Sequence, residues 1–222
     1  PVGELTESRS RLIQNTVAMG ACISLMGIDF DVLEESLTHR FQRQGEEIVN
    51  QNIEVARAGF HYSQEHFEHF ELAPPFGEKP LAVWSGNEAL AMGGAAAGVK
   101  FYAAYPMSPA TGVLHWMAAN ARNLGIMVRQ VEDEIGVANM VLGAGHAGTR
   151  AMCATSGGGF ALMTEAVGAA SMMEIPCVFI DVQRAGPSTG VPTKTEQGDL
   201  WQALGASQGD FERIIVTPTD CL

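Results

Sequence analysis

Positive charge is scarce in this chain. Thirteen Lys and Arg face 25 Asp and Glu across 222 residues, a formal net charge of −12. The basic residues are scattered. A nucleic-acid groove or an anionic-membrane surface needs a basic patch, so neither partner is expected. No apolar run reaches the ~20 residues that span a bilayer. No signal-peptide pattern opens the chain, and a cytoplasmic protein is expected. Cysteine is also sparse: Cys22, Cys153, Cys177 and Cys221 form no C-x-x-C pair. That argues against a zinc or iron–sulfur site within the chain. The thiols read as buried and reduced, with Cys153 and Cys177 in apolar strands. The pattern G-x-x-x-x-G-K-[ST] is absent, which argues against P-loop nucleotide chemistry.

What is present can build a core. The chain is 46% hydrophobic, with mean hydropathy +0.07. Its length suits one ordinary domain with an appended piece. Residues 1–71 carry no strand signal and read as helices. Leu12, Val17, Met19, Cys22, Ile23, Leu25 and Met26 favour a first one, and Gly27-Ile28-Asp29 breaks it. Asp31 is the expected N-cap of a second helix through Leu33, Leu37 and Phe41, which Gly45 ends. Ile48, Asn52, Val55, Ala56, Gly59 and Phe60 make a third. Residues 72–80, rich in Pro and Gly, read as a linker.

From residue 81 to 222 helix and strand alternate. Helices are expected at 86–98, 111–124, 134–146, 160–173 and 201–207. Strands are expected at 99–104, 126–131, 150–155, 177–182 and 213–217. Repeated units of this kind predict an α/β fold, a parallel sheet covered on both faces. Pro1 in place of Met, and a last strand without continuation before Asp220-Cys221-Leu222, suggest a fragment of a longer, C-terminally truncated chain.

Ligands bind beyond the carboxyl ends of strands in such a sheet. Four segments fall there: Tyr105-Pro-Met-Ser108-Pro109, Glu132-Asp133-Glu134, Ser156-Gly157-Gly158-Gly159, and Gln183-Arg184 through Thr193. Together they offer a phenol, carboxylates, hydroxyls, flexible backbone and one guanidinium, the content of a small-molecule site. Glu134 opens an uncharged run from Ile135 to Gly145. A carboxylate at the mouth of such a helix is carried into the interior, where it needs a partner. Glu132 and Asp133 read instead as acids complementing a helix dipole. Gly143-Ala-Gly145-His-Ala-Gly148 matches G-x-G-x-x-G, but follows a helix and precedes a strand. It therefore reads as helix termination and close packing. Gly157-Gly158-Gly159 lies between strand and helix; an anion site and a tight turn remain equally open.

These segments, with Gly86-Asn87-Glu88-Ala89 and Thr155-Ser-Gly157, together resemble the alpha subunit of 2-oxoacid:ferredoxin oxidoreductases. The likeness runs in order from residue 80 to 222. Arg184-Ala-Gly-Pro-Ser-Thr-Gly190-Val-Pro-Thr193 is its most specific part. The helical front is similar to the end of the gamma domain that some members fuse ahead of alpha. The resemblance implies a three-layer, pyrimidine-binding domain for thiamine diphosphate. It implies that Glu134 hydrogen-bonds N1′ of the aminopyrimidine and favours the imino tautomer, whose nitrogen takes the C2 proton. It places Arg184 on the 2-oxo acid carboxylate, where the alternative is a surface salt bridge. Ser108 stands where the family's Tyr-Pro-x-Thr-Pro carries Thr, keeping the hydroxyl and losing a methyl. Tyr105 joins them in orienting substrate, and Ser156 and Gly157 join Glu134 at the cofactor.

The family's diphosphate and magnesium are held by G-D-G…N. Gly198-Asp199-Leu200 and Gly209-Asp210-Phe211 are not that motif. Half a site is therefore implied, with a beta subunit supplying diphosphate contacts, magnesium and the iron–sulfur cluster. Ferredoxin, coenzyme A and a 2-oxo acid, 2-oxoglutarate first, are the implied partners, and a homodimer or heterotetramer the implied assembly. A scaffold domain, or half of a non-redox thiamine diphosphate enzyme, stays open. Glu134 is expected to stand unpaired in this fragment, facing water or an interface. His66 and His69 read as a solvated face rather than a metal site, His115 and His146 as structural, and the methionines as core filler.

Overall fold

The computed structural model describes residues 11–70 and 82–221. The expected linker at 72–80 lies outside them. Contacts divide the chain into two units, Pro1–Pro80 and Leu81–Leu222.

The first unit holds α1 (Arg11–Leu25), α2 (Phe30–Phe41), a 3-10 turn (Gln42–Gln44) and α3 (Glu46–His66). Phe30, Leu33 and Leu37 of α2 fall at i, i+3 and i+7, and cluster with Ala56 and Phe60 of α3. Phe30 and Phe60 meet edge to face at 5.3 Å. That stripe requires α2 to start at Phe30, so its N-cap position is Asp29 and not Asp31. Asp31 lies in the first turn, where its charge complements the dipole. The α1–α3 contact depends on two missing side chains. A Cβ on Gly20 would come 2.7 Å from the Ala56 carbonyl carbon, and one on Gly59 3.0 Å from that of Val17. Gly59→Ala should therefore cost about 1–3 kcal/mol, read as a lower denaturant midpoint at unchanged slope. His66 is the last residue of α3 and stacks on Tyr62 at 4.1 Å. His69 lies beyond the helix end, so the two histidines do not share a helical face. No cluster of metal-ligating side chains occurs among the described residues.

The second unit alternates α4 (Gly86–Ala96), β1 (Phe101–Ala104), α5 (Thr111–Leu124), β2 (Met127–Gln130), α6 (Glu134–His146), β3 (Ala151–Thr155), α7 (Gly157–Met172), β4 (Val178–Asp181) and α8 (Leu200–Gly205). The strands form one parallel sheet in the order β2-β1-β3-β4. Alternating residues point to opposite faces. Tyr102, Ala104, Met152 and Ala154 pack with Ala91 of α4 and Val113 and Met117 of α5. Ala103, Ala151 and Cys153 pack with Val137 and Val141 of α6 and Met163 and Ala166 of α7. The result is the expected three-layer α/β architecture. Cys153 is fully buried and burial raises its thiol pKa; burial also pushes the half-buried Cys177 up to about 11. Neither is a reactive thiolate, whereas Cys22 and Cys221, expected to be buried, are exposed. Among the described residues no helix is long and apolar enough to cross a membrane.

Three expectations fail here. Residues 213–217 are not a strand: they pair with no strand among the described residues, and Ile214 is 93% exposed. Apolar alternation cannot make a strand without a partner. The methionines are not all core filler: Met172 and Met173 at the end of α7 are exposed, as are Met19, Met26, Met92, Met127 and Met140; Met117, Met152 and Met163 do fill the core. Gly157-Gly158-Gly159 is not a turn ahead of a helix but the first turn of α7 itself. The first residues of a helix need no intrahelical acceptor for their N–H groups, so poor helix formers are tolerated there.

Candidate functional site

Strand order locates the site. From β1 the chain turns one way to β2, and from β3 the other way to β4. The crevice at such a reversal, beyond the carboxyl ends of β1 and β3, is where open parallel sheets bind ligands. Tyr105–Pro109 follows β1, Thr155-Ser156 closes β3, and the first turn of α7 lies beside them.

Glu134 reaches this crevice from the first turn of α6. Asp133, extended at φ −154° and ψ 160°, caps that helix, and its Oδ1 accepts from Gly136 N–H at 2.7 Å. The cap fixes where the helix begins, and so which residue turns inward. Glu134 is only 5% exposed, and its Oε1 is buried with no hydrogen-bond partner. It rests on the first turn of α7. A Cβ on Gly159 would come 2.8 Å from both Glu134 Cγ and Oε1, and would collide with Thr155 Oγ1. Among the described residues nothing pairs with Glu134, and its Oε1 is buried rather than facing water. The rest of α6 is only half inside: Val137, Ala138, Val141 and Leu142 are buried, whereas Ile135 and Met140 are exposed.

Ser156 is another orphan. It occupies the N-cap position of α7, yet its side chain caps nothing and its buried Oγ has no partner. Buried polar groups are ordinarily satisfied, so two such atoms at one strand edge point to a ligand's polar groups. The N–H groups of Gly157, Gly158 and Gly159 open α7 and carry its positive dipole end.

Arg184 reaches the same edge from the loop after β4. Its Nη1 donates to the Ser108 carbonyl at 2.7 Å, and its Nε is buried without a partner. Among the described residues no carboxylate pairs with it. The structure thus joins the Arg184 and Ser108 segments, but through the Ser108 backbone and not its hydroxyl. Asn87 Nδ2 holds the neighbouring Pro109 carbonyl at 2.8 Å. Thr155 Oγ1 donates to Met107 Sδ at 3.8 Å, tying the β1 segment to β3. Tyr105 is exposed, and its hydroxyl is joined to no other side chain among the described residues.

Sequence reasoning passed over two residues here. Asp181 ends the apolar strand β4, and Asp199 occupies the N-cap position of α8. Burial, then the Asp199 charge, then a hydrogen bond that the protonated Asp181 carboxyl donates to Asp199 push the Asp181 carboxyl up to about 7. A charged residue closing an otherwise apolar strand was the available signal.

Residues 92–221 match the family model described as pyruvate flavodoxin/ferredoxin oxidoreductase, thiamine diphosphate-binding. Residues 2–62 match a second, described as pyruvate ferredoxin/flavodoxin oxidoreductase. The chain is 48% identical over 134 residues to 2-oxoglutarate synthase subunit KorA of Methanocaldococcus jannaschii, covering 60% of this chain and 37% of that one. It is 36% identical over 228 residues to 2-oxoacid:ferredoxin oxidoreductase 1, subunit alpha, of Aeropyrum pernix, covering 98% of this chain and 35% of that one. Its structure superposes, with a TM-score of 0.80 at 39% identity, on 2-oxoglutarate:ferredoxin oxidoreductase from Magnetococcus marinus with 2-oxoglutarate, coenzyme A and succinyl-CoA bound, covering 95% of this chain and 37% of that one. The chain therefore spans about a third of the length of these relatives. It belongs to the pyruvate flavodoxin/ferredoxin oxidoreductase family.

Proposed function

We propose that the chain is the alpha part of a 2-oxoacid:ferredoxin oxidoreductase. Such an enzyme oxidatively decarboxylates a 2-oxo acid to an acyl-CoA and reduces ferredoxin. Names of relatives favour 2-oxoglutarate as the substrate. The observation that carries the reading is the buried, unpartnered Oε1 of Glu134, held against Gly159 at the switch point of the sheet. A desolvated carboxylate in that place is satisfied by a protonated ring nitrogen. The orphaned Ser156 Oγ beside it fits a second polar group of the same ligand. Both suit the aminopyrimidine end of thiamine diphosphate, which when bound would supply the nucleophilic carbon that 2-oxo acid decarboxylation needs.

This chain's residues have distinct tasks. Glu134 holds a proton at the ring nitrogen, and burial strengthens that contact. Ser156 and the Gly157 backbone border the cofactor. Arg184 pairs with the substrate carboxylate while the Ser108 carbonyl holds its other edge, and Ser108 and Tyr105 flank the substrate. The G-D-G…N motif is absent from the sequence, so diphosphate, magnesium and cluster fall to a beta subunit in the same cytoplasmic assembly. Residues 1–71 read as the helical tail of a gamma-type domain, and 81–222 as the pyrimidine-binding domain.

The test uses the full-length protein purified with its partner subunits. It should reduce ferredoxin only with a 2-oxo acid, coenzyme A and thiamine diphosphate all present, with 2-oxoglutarate preferred to pyruvate. Decarboxylation that transfers no electrons to ferredoxin would place it among non-redox thiamine enzymes. Tight cofactor binding with no turnover of any 2-oxo acid would sink the catalytic reading.

A further inference from the structure

Asp181 and Asp199 have no task in the mechanism above, yet they meet at the same edge. Asp181 closes β4 in register with Thr155. Its carboxyl is hydrogen-bonded to that of Asp199. Asp181 Oδ1 and Asp199 Oδ2 are buried, and each lacks any partner beyond that contact. Ionised carboxylates only accept hydrogen bonds, so the contact requires one oxygen to carry a proton.

The pair sits where three elements join. Asp199 N–H donates to Gln183 Oε1 at 3.0 Å, closing the segment from 183 to 199 on itself. The Asp199 carboxyl lies over the first turn of α7, where a Cβ on Gly157 would come 2.5 Å from Oδ2. Gln202 Nε2, one turn along α8, donates to the Gly157 carbonyl at 2.9 Å. The end of β4, the start of α7 and the start of α8 thus converge on these two acids. Arg184 is the next residue after Gln183.

We propose that Asp181 and Asp199 are positioning residues, a carboxyl–carboxylate pair whose single shared proton clamps both ends of the 183–199 segment over α7 and so sets Arg184. The consequence for substrate rests on the reading of Arg184 as the group that binds the 2-oxo acid carboxylate; the shared proton itself does not.

The charged surroundings favour protonation. Asp199 is the charge that acts on Asp181. Glu134 lies over Gly159 in the same first turn of α7, and Glu196 Oε2 accepts from Gly186 N–H at 3.2 Å. Arg184 is turned to the Ser108 carbonyl, and no cation pairs with either aspartate among the described residues. The remaining neighbours, Thr155, Gln183 and Gln202, are uncharged. The Asp181 pKa is raised, so between its ordinary value near ~4 and about 7 the folded state holds a proton that the unfolded chain has lost. The pair's contribution to stability is full below that window and falls as pH rises through it. Above it, two adjacent negative charges repel and the clamp loosens.

Two measurements on the full-length protein with its partner subunits test this. In infrared spectra taken without substrate, a protonated-carboxyl C=O band should be present at about pH 6, titrate away near pH 7, and vanish in Asp181→Asn. A spectrum identical in wild type and Asp181→Asn would overturn the shared proton. In steady state, the KM for the 2-oxo acid should rise about tenfold from pH 6 to 8 in wild type, the worth of one hydrogen bond to a charged group. Asp181→Asn, whose amide donates permanently, should flatten that rise, whereas Asp181→Ala should give a raised KM at every pH. The same KM profile in wild type and Asp181→Asn would overturn the positioning role. If no 2-oxo acid is turned over, the infrared result still decides the pair, so its failure and that of the functional reading are distinguishable.

Discussion

Glu134→Gln, placed in the full-length protein with its partner subunits, should lower kcat by about 10²–10⁴-fold, the usual contribution of a positioned acid–base group. The amide keeps the volume and shape of the side chain, so the contact with Gly159 survives. What it loses is the negative charge that makes a protonated ring nitrogen favourable in a desolvated site. The fold should be indifferent: Glu134 makes no hydrogen bond or ion pair among the described residues, and its Oε1 is already unsatisfied. Removing a buried, unpaired charge relieves a cost rather than adding one. The expected pattern is therefore lost turnover with intact assembly, checked by 2-oxo acid-dependent ferredoxin reduction beside size-exclusion chromatography. Asp133 gives the contrast. It caps α6 through Gly136 N–H, so Asp133→Ala acts on the start of the helix, by about 1 kcal/mol.

Arg184→Ala should raise the KM for the 2-oxo acid by about 10–150-fold, which is the 1.5–3 kcal/mol of a hydrogen bond to a charged group. The guanidinium uses Nη1 on the Ser108 carbonyl and has a buried Nε without a partner. One edge of the fork is thus fixed while donors remain for a carboxylate. Arg184→Lys should recover only part of the loss, because an ammonium cannot hold the Ser108 carbonyl and grip a carboxylate in two places. Substrate-saturation curves for the two variants check both statements; a KM unchanged in Arg184→Ala would remove Arg184 from the substrate site.

Much of this was legible along the chain because it is local. The α/β alternation shows in periodicity, and α6 begins and ends where its apolar run does, since Asp133 caps it and Gly148 follows it. Glu134 was legible for the same reason: a lone acid at the head of an uncharged helix has few places to go. What failed is non-local. Residues 213–217 have the composition of a strand, but a strand exists only through its neighbour. Asp181 and Asp199 lie 18 positions apart in sequence, and only the fold of the loop after β4 brings them together. Gly157–Gly159 reads as a turn by propensity, yet the first turn of α7 takes Gly157 because Asp199 crowds it and Gly159 because Glu134 and Thr155 do, leaving no room for side chains at either. The burial of one carboxylate thus explains a glycine that composition alone assigned to a loop.

Hydrogen–deuterium exchange at C2 of bound thiamine diphosphate tests the role of Glu134 most directly, because it reports proton removal before any substrate reacts. It is measured on the full-length protein with its partner subunits, wild type beside Glu134→Gln, with bound cofactor quantified in both. Exchange slowed by about 10²-fold or more in Glu134→Gln, with cofactor still bound, is the predicted result. Exchange as fast as in the wild type, with the cofactor equally occupied, would contradict it.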